Sequence, residues 1–577
     1  MKKTIFFLAT VISLAGLSSC EDIFGDFLDK QPSNELTDKE VFSLWTNAEK
    51  FHYDTYNFLR HGAGRINRSW MDAATDLAHT SYTGGGVRTS FNIGNYYANS
   101  GAPELTESWE HYYRAIRKCN MLLANIDAVP KAADLSDENY EREKMNFKAE
   151  SRFLRAYFYW ELFLRYGPVP IVTEVLDPDG DLLAGYTTRP SSGEFLRFVT
   201  EELTACESGL MDKPNPSTQD NLVGRVCKPV AAALRSRVAL YMASPRLELT
   251  DWQAAADTAL HFITKYGSLY ALQPDYAGAT ATVVHQGNNE VIFWRNDTRV
   301  GWSAIVDDTP VGEGGSGGLC PSQNLVDMYD MANGLSPFTE YDASGAPLYD
   351  GAAPSIHAAS GYSDAAPYTG RDPRFYATVL HHQSLWNNAT INVVRGGRDN
   401  PLGNANATPT GYYAKKYIPE NILSYDHSGT AYRNWIFIRY AEILLNYAEA
   451  MNEARGPVDE VFAALQQIRD RAGVTARLSD RVDLRSRTAL RNFIHKERTV
   501  ELAFEDHRAW DVRRWNVAEE ALARPLYGME VTTDASNNPL YARKVVQRRV
   551  FTGKMYLYPI PEGEVWKTNI ENNQGWN

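Results

Sequence analysis

The apolar pattern is most regular between Lys148 and Val172, a segment that reads KAESRFLRAYFYWELFLRYGPVPIV. Aromatic and aliphatic residues recur there at helical spacing, and the charged residues fall on two narrow strips instead of one broad face. Apolar surface therefore flanks both strips, which predicts a helix packed between neighbours. Gly167 can adopt the left-handed conformation that ends a helix, and Pro168 cannot continue it.

The same periodicity predicts further helices on both sides of this segment. They are expected at residues 41–59, 69–78, 105–126, 195–210, 229–243, 252–266, 439–454 and 462–472. Short loops join many of them, which is typical of tetratricopeptide-like helix pairs, although a strict repeat of about 34 residues is missing.

Three other stretches lack helical periodicity and are rich in Gly, Asn, Asp and Tyr. They cover residues 80–103, 295–318 and 335–430, and their composition predicts loops and short strands. The apolar run EVIFW at 290–294 predicts a buried strand. The expected fold class is mainly α, with paired helices packed against an irregular region. We expect one composite domain over residues 20–577, with a helical part at about 22–270 and a second part at about 280–577.

Composition narrows the class of function. The chain has 577 residues and a net charge of −13, which argues against a nucleic acid as partner because its phosphates require a basic surface. Aromatic residues make up 12% of the chain, with 33 Tyr and 13 Trp. Most of these rings should be core, but such a content also favours surfaces that stack against ligands.

The first residues predict a signal for export, and we do not expect them to be part of the folded domain. Lys2 and Lys3 precede an apolar run at 5–14 that is too short to span a bilayer, and the run ends in Leu-Ser-Ser-Cys at 17–20. This ending resembles a bacterial lipobox, so residues 1–19 are expected to be a signal peptide and Cys20 the lipidated residue. An ordinary secretory signal is the alternative. The acidic pair after Cys20 resembles the tag that sends Bacteroidetes lipoproteins to the outer face of the outer membrane.

The remaining cysteines do not reveal a metal or redox site. Cys119, Cys206, Cys227 and Cys320 form no CxxC motif and lie near no histidine at metal-ligand spacing. Four cysteines allow three disulfide connectivities, and buried unpaired thiols are equally compatible with the sequence. We expect no cofactor, although a structural calcium ion in the loops is left open.

Several segments, in order along the chain, resemble the SusD/RagB family of outer-membrane nutrient-binding lipoproteins. They are RFLRAYFYWELFLRYGPVP at 152–170, FIRYAEILLNYAEAMNEA at 437–454, ALQQIRDRAG at 464–473, HKERTVELAFEDHRAWDVRRW at 495–515 and YLYPIPEGEVWKTNIENNQGW at 556–576. The resemblance implies four tetratricopeptide-like helix pairs and an irregular second half that carries much of the ligand surface. It also implies a TonB-dependent transporter, similar to SusC, as partner.

Binding a glycan requires flat aromatic faces and planar polar groups, and the loops supply both. The residues that we expect to contact glycan are Asp76, Tyr82, Asn92, Tyr96, Tyr97, Trp302, Arg371 and Trp386. The resemblance places the ligand surface on these loops without transferring individual residues. Helical Arg and Glu residues such as Arg439, Glu497 and Glu501 are instead interpreted as a structural ion-pair network.

The function that we expect is non-enzymatic: a lipid-anchored protein on the cell exterior that binds a poly- or oligosaccharide and delivers it to the transporter. A binder of peptides or of glycoprotein-derived oligosaccharides, with the same role in import, is the nearest alternative. A glycoside hydrolase would require two opposed carboxylates, which the spacing does not single out. A purely structural surface protein is the third alternative. The sequence does not name the glycan.

Overall fold

The computed structural model describes residues 37–66, 68–84, 86–98, 103–177, 180, 186–284, 287–295, 299–351, 353–425, 429–474 and 476–576. The predicted signal peptide, Cys20 and the acidic pair after it lie outside these residues. Within them, the chain is mainly α, as the sequence predicts. No described helix is both long and apolar enough to cross a membrane.

The α-helices are numbered in chain order. Their bounds are α1 Asp38–Val41, α2 Trp45–Thr55, α3 Pro103–Asn125, α4 Asp137–Tyr166, α5 Ser192–Glu207, α6 Lys228–Ala243, α7 Trp252–Tyr266, α8 Gly278–Ala281, α9 Trp302–Ile305, α10 Gln323–Met328, α11 Pro373–Thr378, α12 Tyr440–Arg455, α13 Asp459–Arg471, α14 Arg487–Glu501, α15 Arg508–Arg514, α16 Ala518–Ala523 and α17 Glu562–Thr568.

Helix α4 is the centre of the helical half, because neighbours cover it on several sides. It packs against α3 and α5, and Phe153, Leu154, Phe158 and Trp160 are fully buried. Its charged strips are buried as well, in ion pairs such as Arg165 Nε to Glu104 Oε1 at 2.6 Å. Gly167 ends the helix, as the sequence predicts, and its φ is positive at +70°, but its ψ of −156° differs from that of the left-handed helical conformation that was expected. The helix begins eleven residues earlier than the apolar pattern indicates, since Ser136 caps it at Asp137.

Four helix pairs form a continuous stack. The pairs α2/α3, α4/α5, α6/α7 and α12/α13 each pack together, and α12 also packs against α6 and α7. The chain therefore leaves the stack after α7 and returns to it with α12. Arg237 of α6 fixes this return, because its guanidinium donates to Glu442 of α12 at 2.7 and 2.6 Å.

The β-strands are short, and they pair segments that are distant in sequence. Their bounds are β1 Ala78–Thr80, β2 Val291–Arg295, β3 Arg299–Val300, β4 Leu319–Pro321, β5 Tyr349–Asp350, β6 Ala353–Pro354, β7 Val379–Leu380, β8 Leu385–Trp386, β9 Ala389–Thr390, β10 Tyr413–Ala414, β11 Ala431–Tyr432, β12 Trp435–Arg439, β13 Leu526–Thr533 and β14 Pro539–Gln547. All described strands pair antiparallel in twos: β1 with β4, β2 with β12, β3 with β11, β5 with β6, β7 with β10, β8 with β9 and β13 with β14.

The predicted ion-pair network is confirmed, and it joins the strands to the helices. Arg439, at the junction of β12 and α12, is 1% exposed. It donates to Glu290 and Glu501 at 2.6 Å each and to both carboxylate oxygens of Glu505 at 2.8 Å. Burial alone would raise the pKa of Glu505, but Arg439 and Lys416 lower it to about 2.

One sequence-based helix is wrong, and another starts later than predicted. Residues 69–78 form a short 3₁₀ turn at Met71–Ala74 followed by strand β1, because the backbone at 78–80 pairs with β4. The helix expected at 41–59 is confirmed from Trp45 onwards, as α2 and a 3₁₀ turn at Tyr56–Phe58, but a break separates it from α1, which ends at Val41. The hairpin of β13 and β14 was not predicted.

Candidate ligand-binding surface

Two of the polar loops meet beside the small sheet formed by β1 and β4. Ser81, just after β1, donates its backbone N–H to the Gly318 carbonyl at 3.0 Å and its hydroxyl to the Ser316 carbonyl at 2.6 Å. The loop after β1 therefore lies against the loop before β4. The polar stretches near residues 80 and 310, separate in sequence, form one surface.

Arg68 joins these loops at the surface. Its guanidinium carbon lies 4.2 Å from the centroid of the Tyr82 ring, and its Nε donates to Asp307 at 2.7 Å. Arg68 is held in the left-handed backbone region, with φ +68°. Its side chain is about half exposed and that of Asp307 is 29% exposed, so both groups are within reach of a ligand.

Trp302 begins α9 and lies beside a third loop. A Cβ added at Gly314 would lie 3.8 Å from the Trp302 ring and 3.1 Å from the Ser424 hydroxyl, so the ring and this hydroxyl flank the same glycine. The next residue, Tyr425, is 81% exposed. A glycine at 314, with φ +86°, allows this close approach.

Strand pairing adds a fourth ring to this surface. Pairing of β3 with β11 places Arg299 opposite Tyr432, and the Arg299 guanidinium carbon lies 5.4 Å from the centroid of that ring. We call the four partly or largely exposed rings Tyr82, Trp302, Tyr425 and Tyr432 the aromatic platform. Arg68 and Asp307 join Tyr82 to the segment after α9, Gly314 lies beside Trp302 and Ser424, and Tyr432 contacts Arg299 just ahead of α9.

A buried polar base supports the platform. Asp308 accepts from the Trp70 indole at 3.0 Å and from Arg433 at 2.6 Å, and Arg433 also donates to the Ala304 carbonyl in α9 at 2.8 Å. Trp70 is fully buried and packs on Trp435 with ring centroids 5.5 Å apart. Because these groups fix α9 from below, Trp302 is presented on a rigid element.

The platform suits stacking and hydrogen bonding. Its partly exposed rings can cover the C–H faces of a ligand, and Arg68, Asp307 and Ser424 offer donors and acceptors at their edges. The described residues contain no group of three or more His, Cys, Asp and Glu placed to hold a metal ion. A calcium ion elsewhere in the chain stays a prediction.

Three of the predicted ligand residues lie at the surface, and two of these belong to the platform. Tyr82 and Trp302 are part of it. Tyr97 is 60% exposed, but it lies beside the C-terminal segment, where the backbone of its neighbour Ala98 accepts from Glu562 at 3.4 Å.

Three other predicted ligand residues near the first loop are buried, which corrects their assignment. Asp76 is 1% exposed and accepts from Arg508 at 2.9 and 2.7 Å. Asn92 donates to the Ala73 carbonyl at 3.2 Å, and Tyr96 packs between Phe91 and Trp576. These side chains hold the loop to the core and present no surface to a ligand.

The last two predicted residues are also part of the core. Arg371 is 1% exposed and donates to the carbonyls of Val326, Tyr329 and Pro367 at 2.6 to 2.9 Å. Trp386 is 1% exposed as well. The residues that sequence reasoning missed are Arg68, Asp307, Tyr425 and Tyr432. The two tyrosines lie in the polar stretch before β12, and Arg68 lies just ahead of a segment that was interpreted as helix.

The four described cysteines are buried and unpaired. Burial raises the pKa of each thiol to about 12, so these thiols stay protonated and unreactive at neutral pH.

Comparisons with known proteins place this chain in a family. A profile described as the SusD family matches residues 283–576, and one described as "Starch-binding associating with outer membrane" matches residues 26–240. SusD-like protein P25 of Formosa agariphila is 24% identical over 523 residues, which cover 86% of this chain and 87% of the relative.

Solved structures agree with the profiles. A SusD-like protein from Bacteroides fragilis superposes with a TM-score of 0.74 at 26% identity, covering 95% of this chain and all of the other. A SusD-like carbohydrate-binding protein from the same species gives a TM-score of 0.70 at 22% identity, over 91% of this chain and 98% of the other.

Proposed function

Since this chain belongs to the SusD family, whose profile covers more than half of it, we propose that it binds an oligo- or polysaccharide at the aromatic platform. The observation that carries the proposal is the convergence of distant loops, which places exposed rings over a rigid buried base. Tyr425 is 81% exposed, so the face of its ring is accessible to a ligand. One similar structure is that of a carbohydrate-binding protein, which agrees with the proposal.

We propose binding without catalysis. The described carboxylates of the platform are each tied to an arginine: Asp307 to Arg68, and Asp308 to Arg433 at 2.6 Å. Glycoside hydrolysis needs two opposed carboxyl groups, one of which carries a proton. Because the oxygens of both carboxylates are already held by guanidinium groups, the two are not placed as a free, opposed pair.

Affinity gels and then calorimetry with a polysaccharide panel test the binding. For a glycan that binds, Trp302→Ala and Tyr425→Ala should each weaken affinity by several-fold to about tenfold, because a stacked ring contributes up to about 1.5 kcal/mol beyond its area burial. Trp566→Ala is the matched control, since this tryptophan is 73% exposed on α17 and is not part of the platform.

Unchanged affinity in both platform variants would show that the glycan binds elsewhere. Release of reducing ends during the incubation would contradict a non-enzymatic role. Peptides and glycoprotein-derived oligosaccharides belong in the same panel, and exclusive binding of peptides would replace the glycan proposal.

We further propose delivery of the ligand to a TonB-dependent transporter of the outer membrane. The support is the lipobox-like sequence ending in Cys20 and the outer-membrane association described for one matching profile. A protein held by a lipid cannot carry a bulky sugar across a membrane by itself, so import requires a membrane-embedded partner.

Purification of this protein from gently solubilised outer membranes should recover a large barrel protein in about equal amount. The interface is expected to exceed roughly 2,000 Å², which is typical of permanent complexes. Cys20→Ala should move the chain to the soluble fraction. Recovery of the chain alone, while other outer-membrane complexes stay intact, would contradict the delivery role.

A further inference from the structure

A pocket lies at the end of α4, and none of the residues that line it belongs to the platform. It has a volume of about 220 Å³ and is bordered by the end of α4, the loop after α6, helix α15 and residues 556–557. Four aromatic side chains form its walls, each 6% exposed: Phe163, Tyr241, Trp510 and Tyr556. Its size and walls suit a single ring with a short substituent.

The charge of this pocket is opposite to that of the chain. Arg246, Arg513 and Arg514 line it, and its lining contains no Asp or Glu, although the chain has 71 acidic and 58 basic residues. Arg514 is neutralised by Glu449, to which it donates at 2.5 and 2.7 Å. Among the described residues, no carboxylate oxygen lies within 4.0 Å of the Arg246 or Arg513 guanidinium.

Both of these guanidinium groups are held against rings. The Arg246 group lies 4.4 Å from the centroid of Tyr556, and the Arg513 group lies 5.4 Å from Trp510 and 5.0 Å from Phe551. Arg513 also donates to the Ala509 carbonyl at 2.6 Å and to the Met555 carbonyl at 3.4 Å, while its buried Nε has no hydrogen-bond partner among the described residues. Two guanidinium groups that are held in a fixed orientation and have no anionic partner are well suited to bind a planar carboxylate.

We propose that this pocket binds a small aromatic monocarboxylate, with the ring between the four aromatic walls and the carboxylate on Arg246 and Arg513. A neutral sugar could stack on these rings, but it offers no anion to the two guanidinium groups. A neutral apolar molecule would leave both guanidinium groups without an anionic partner. The pocket is therefore a different site from the glycan platform, with a different ligand chemistry.

The test compares 3-phenylpropionate with its uncharged isostere 3-phenylpropanamide, titrated into the purified full chain by ligand-observed NMR and calorimetry. The acid should bind at least about tenfold more tightly than the amide, since a bidentate charge-assisted contact is lost in the amide. Arg246→Gln and Arg513→Gln should reduce binding of the acid to the level of the amide. Arg114→Gln is the control, because Arg114 is 69% exposed and pairs only with Glu110 at 3.9 Å.

Arg246 is exposed, so its replacement should preserve the melting temperature and keep the test valid even if Arg513→Gln unfolds the chain. Both variants should bind any glycan of the panel like the wild type. Equal affinities for acid and amide, no binding of either at millimolar concentration, or wild-type affinity in Arg246→Gln would each overturn the proposal.

Discussion

Arg439 joins three buried carboxylates. It contacts the carboxylates of Glu290, Glu501 and Glu505 at 2.6 to 2.8 Å while it is 1% exposed. Lys416 and Arg471 share these carboxylates but do not replace its position, because Arg439 alone among the three contacts all of them. Its side chain therefore holds three buried carboxylates together, which an exposed arginine does not do.

Arg439→Met should lower the free energy of unfolding by about 3–5 kcal/mol, because it leaves three buried carboxylates with fewer partners. Chemical denaturation measures the change. Arg114→Met, at an exposed pair, should cost less than about 1 kcal/mol. A similar decrease in the free energy of unfolding in both variants would show that Arg439 is no more important for stability than Arg114.

At the scale of residues, the sequence indicated that the loops carry aromatic rings, but it did not show which of these rings are exposed. Tyr96 and Trp386 were chosen because they lie in polar, Gly-rich stretches, yet both are core. Tyr96 is buried by Trp576, which lies far away in sequence. Local composition indicates a loop, but only long-range packing decides which rings of that loop face solvent.

At the scale of elements, helices were the most predictable feature. Helix α7 has the predicted bounds, and α6 and α12 begin within one residue of their predicted starts, because each carries its own apolar period and end signals. The strands were much harder to predict. Strand β1 has three residues and pairs with β4, whose residues lie about two hundred and forty positions later, so its own sequence holds little evidence of pairing.

The end of α4 gives an element-scale prediction. Gly167 has φ +70° and ψ −156°, and a Cβ there would lie 3.1 Å from Leu557 and 3.4 Å from Arg189. Gly167→Ala should cost about 1–3 kcal/mol, because a side chain disfavours this backbone conformation.

Gly563→Ala is the matched control for this prediction. Gly563 lies inside α17, and nothing would lie within 4 Å of an added Cβ, so its substitution should be neutral or mildly stabilising. Thermal unfolding of the two variants measures the difference. Equal melting temperatures would show that α4 tolerates another ending.

At the scale of the whole molecule, buried titratable groups predict sensitivity to acid. Burial lowers the pKa of His79 to about 2, of His381 to about 4, and that of His507 well below its usual value. These imidazoles are neutral in the fold and take up protons when the chain unfolds. Below pH 6.5 the unfolded chain binds protons at these histidines that the folded chain does not bind. The free energy of unfolding is therefore highest above pH 6.5 and decreases as the pH falls.

Carboxylates steepen the loss at lower pH. Burial opposes ionisation of Glu150, but Arg225 and His52 outweigh it and lower its pKa to about 2. Glu150 and Glu505 therefore each lose on the order of 3 kcal/mol of stabilisation as the pH falls from about 4.5 towards 2. Asp72 and Asp506 act in the opposite direction, since burial raises their pKa values.

The free energy of unfolding should therefore decrease below pH 6.5 and decrease more steeply below pH 4.5. Denaturant titrations at a series of pH values measure this curve. A free energy that stays constant from pH 6.5 to pH 4 would contradict the prediction. Asp72→Asn should make the decrease steeper, because it removes a group that favours the folded state in acid.

The return of the chain to the helix stack at α12 has a consequence for biosynthesis. Helix α7 ends at Tyr266, and the partner that covers it starts at Tyr440. During synthesis from the N-terminus, the first three helix pairs emerge before α12 has been made. The apolar side of α7 that α12 covers stays exposed until the long segment between these two helices has folded back. The protein is therefore most exposed to aggregation and to proteases while it is half made, and a chaperone that binds apolar surface would have its greatest effect in that interval.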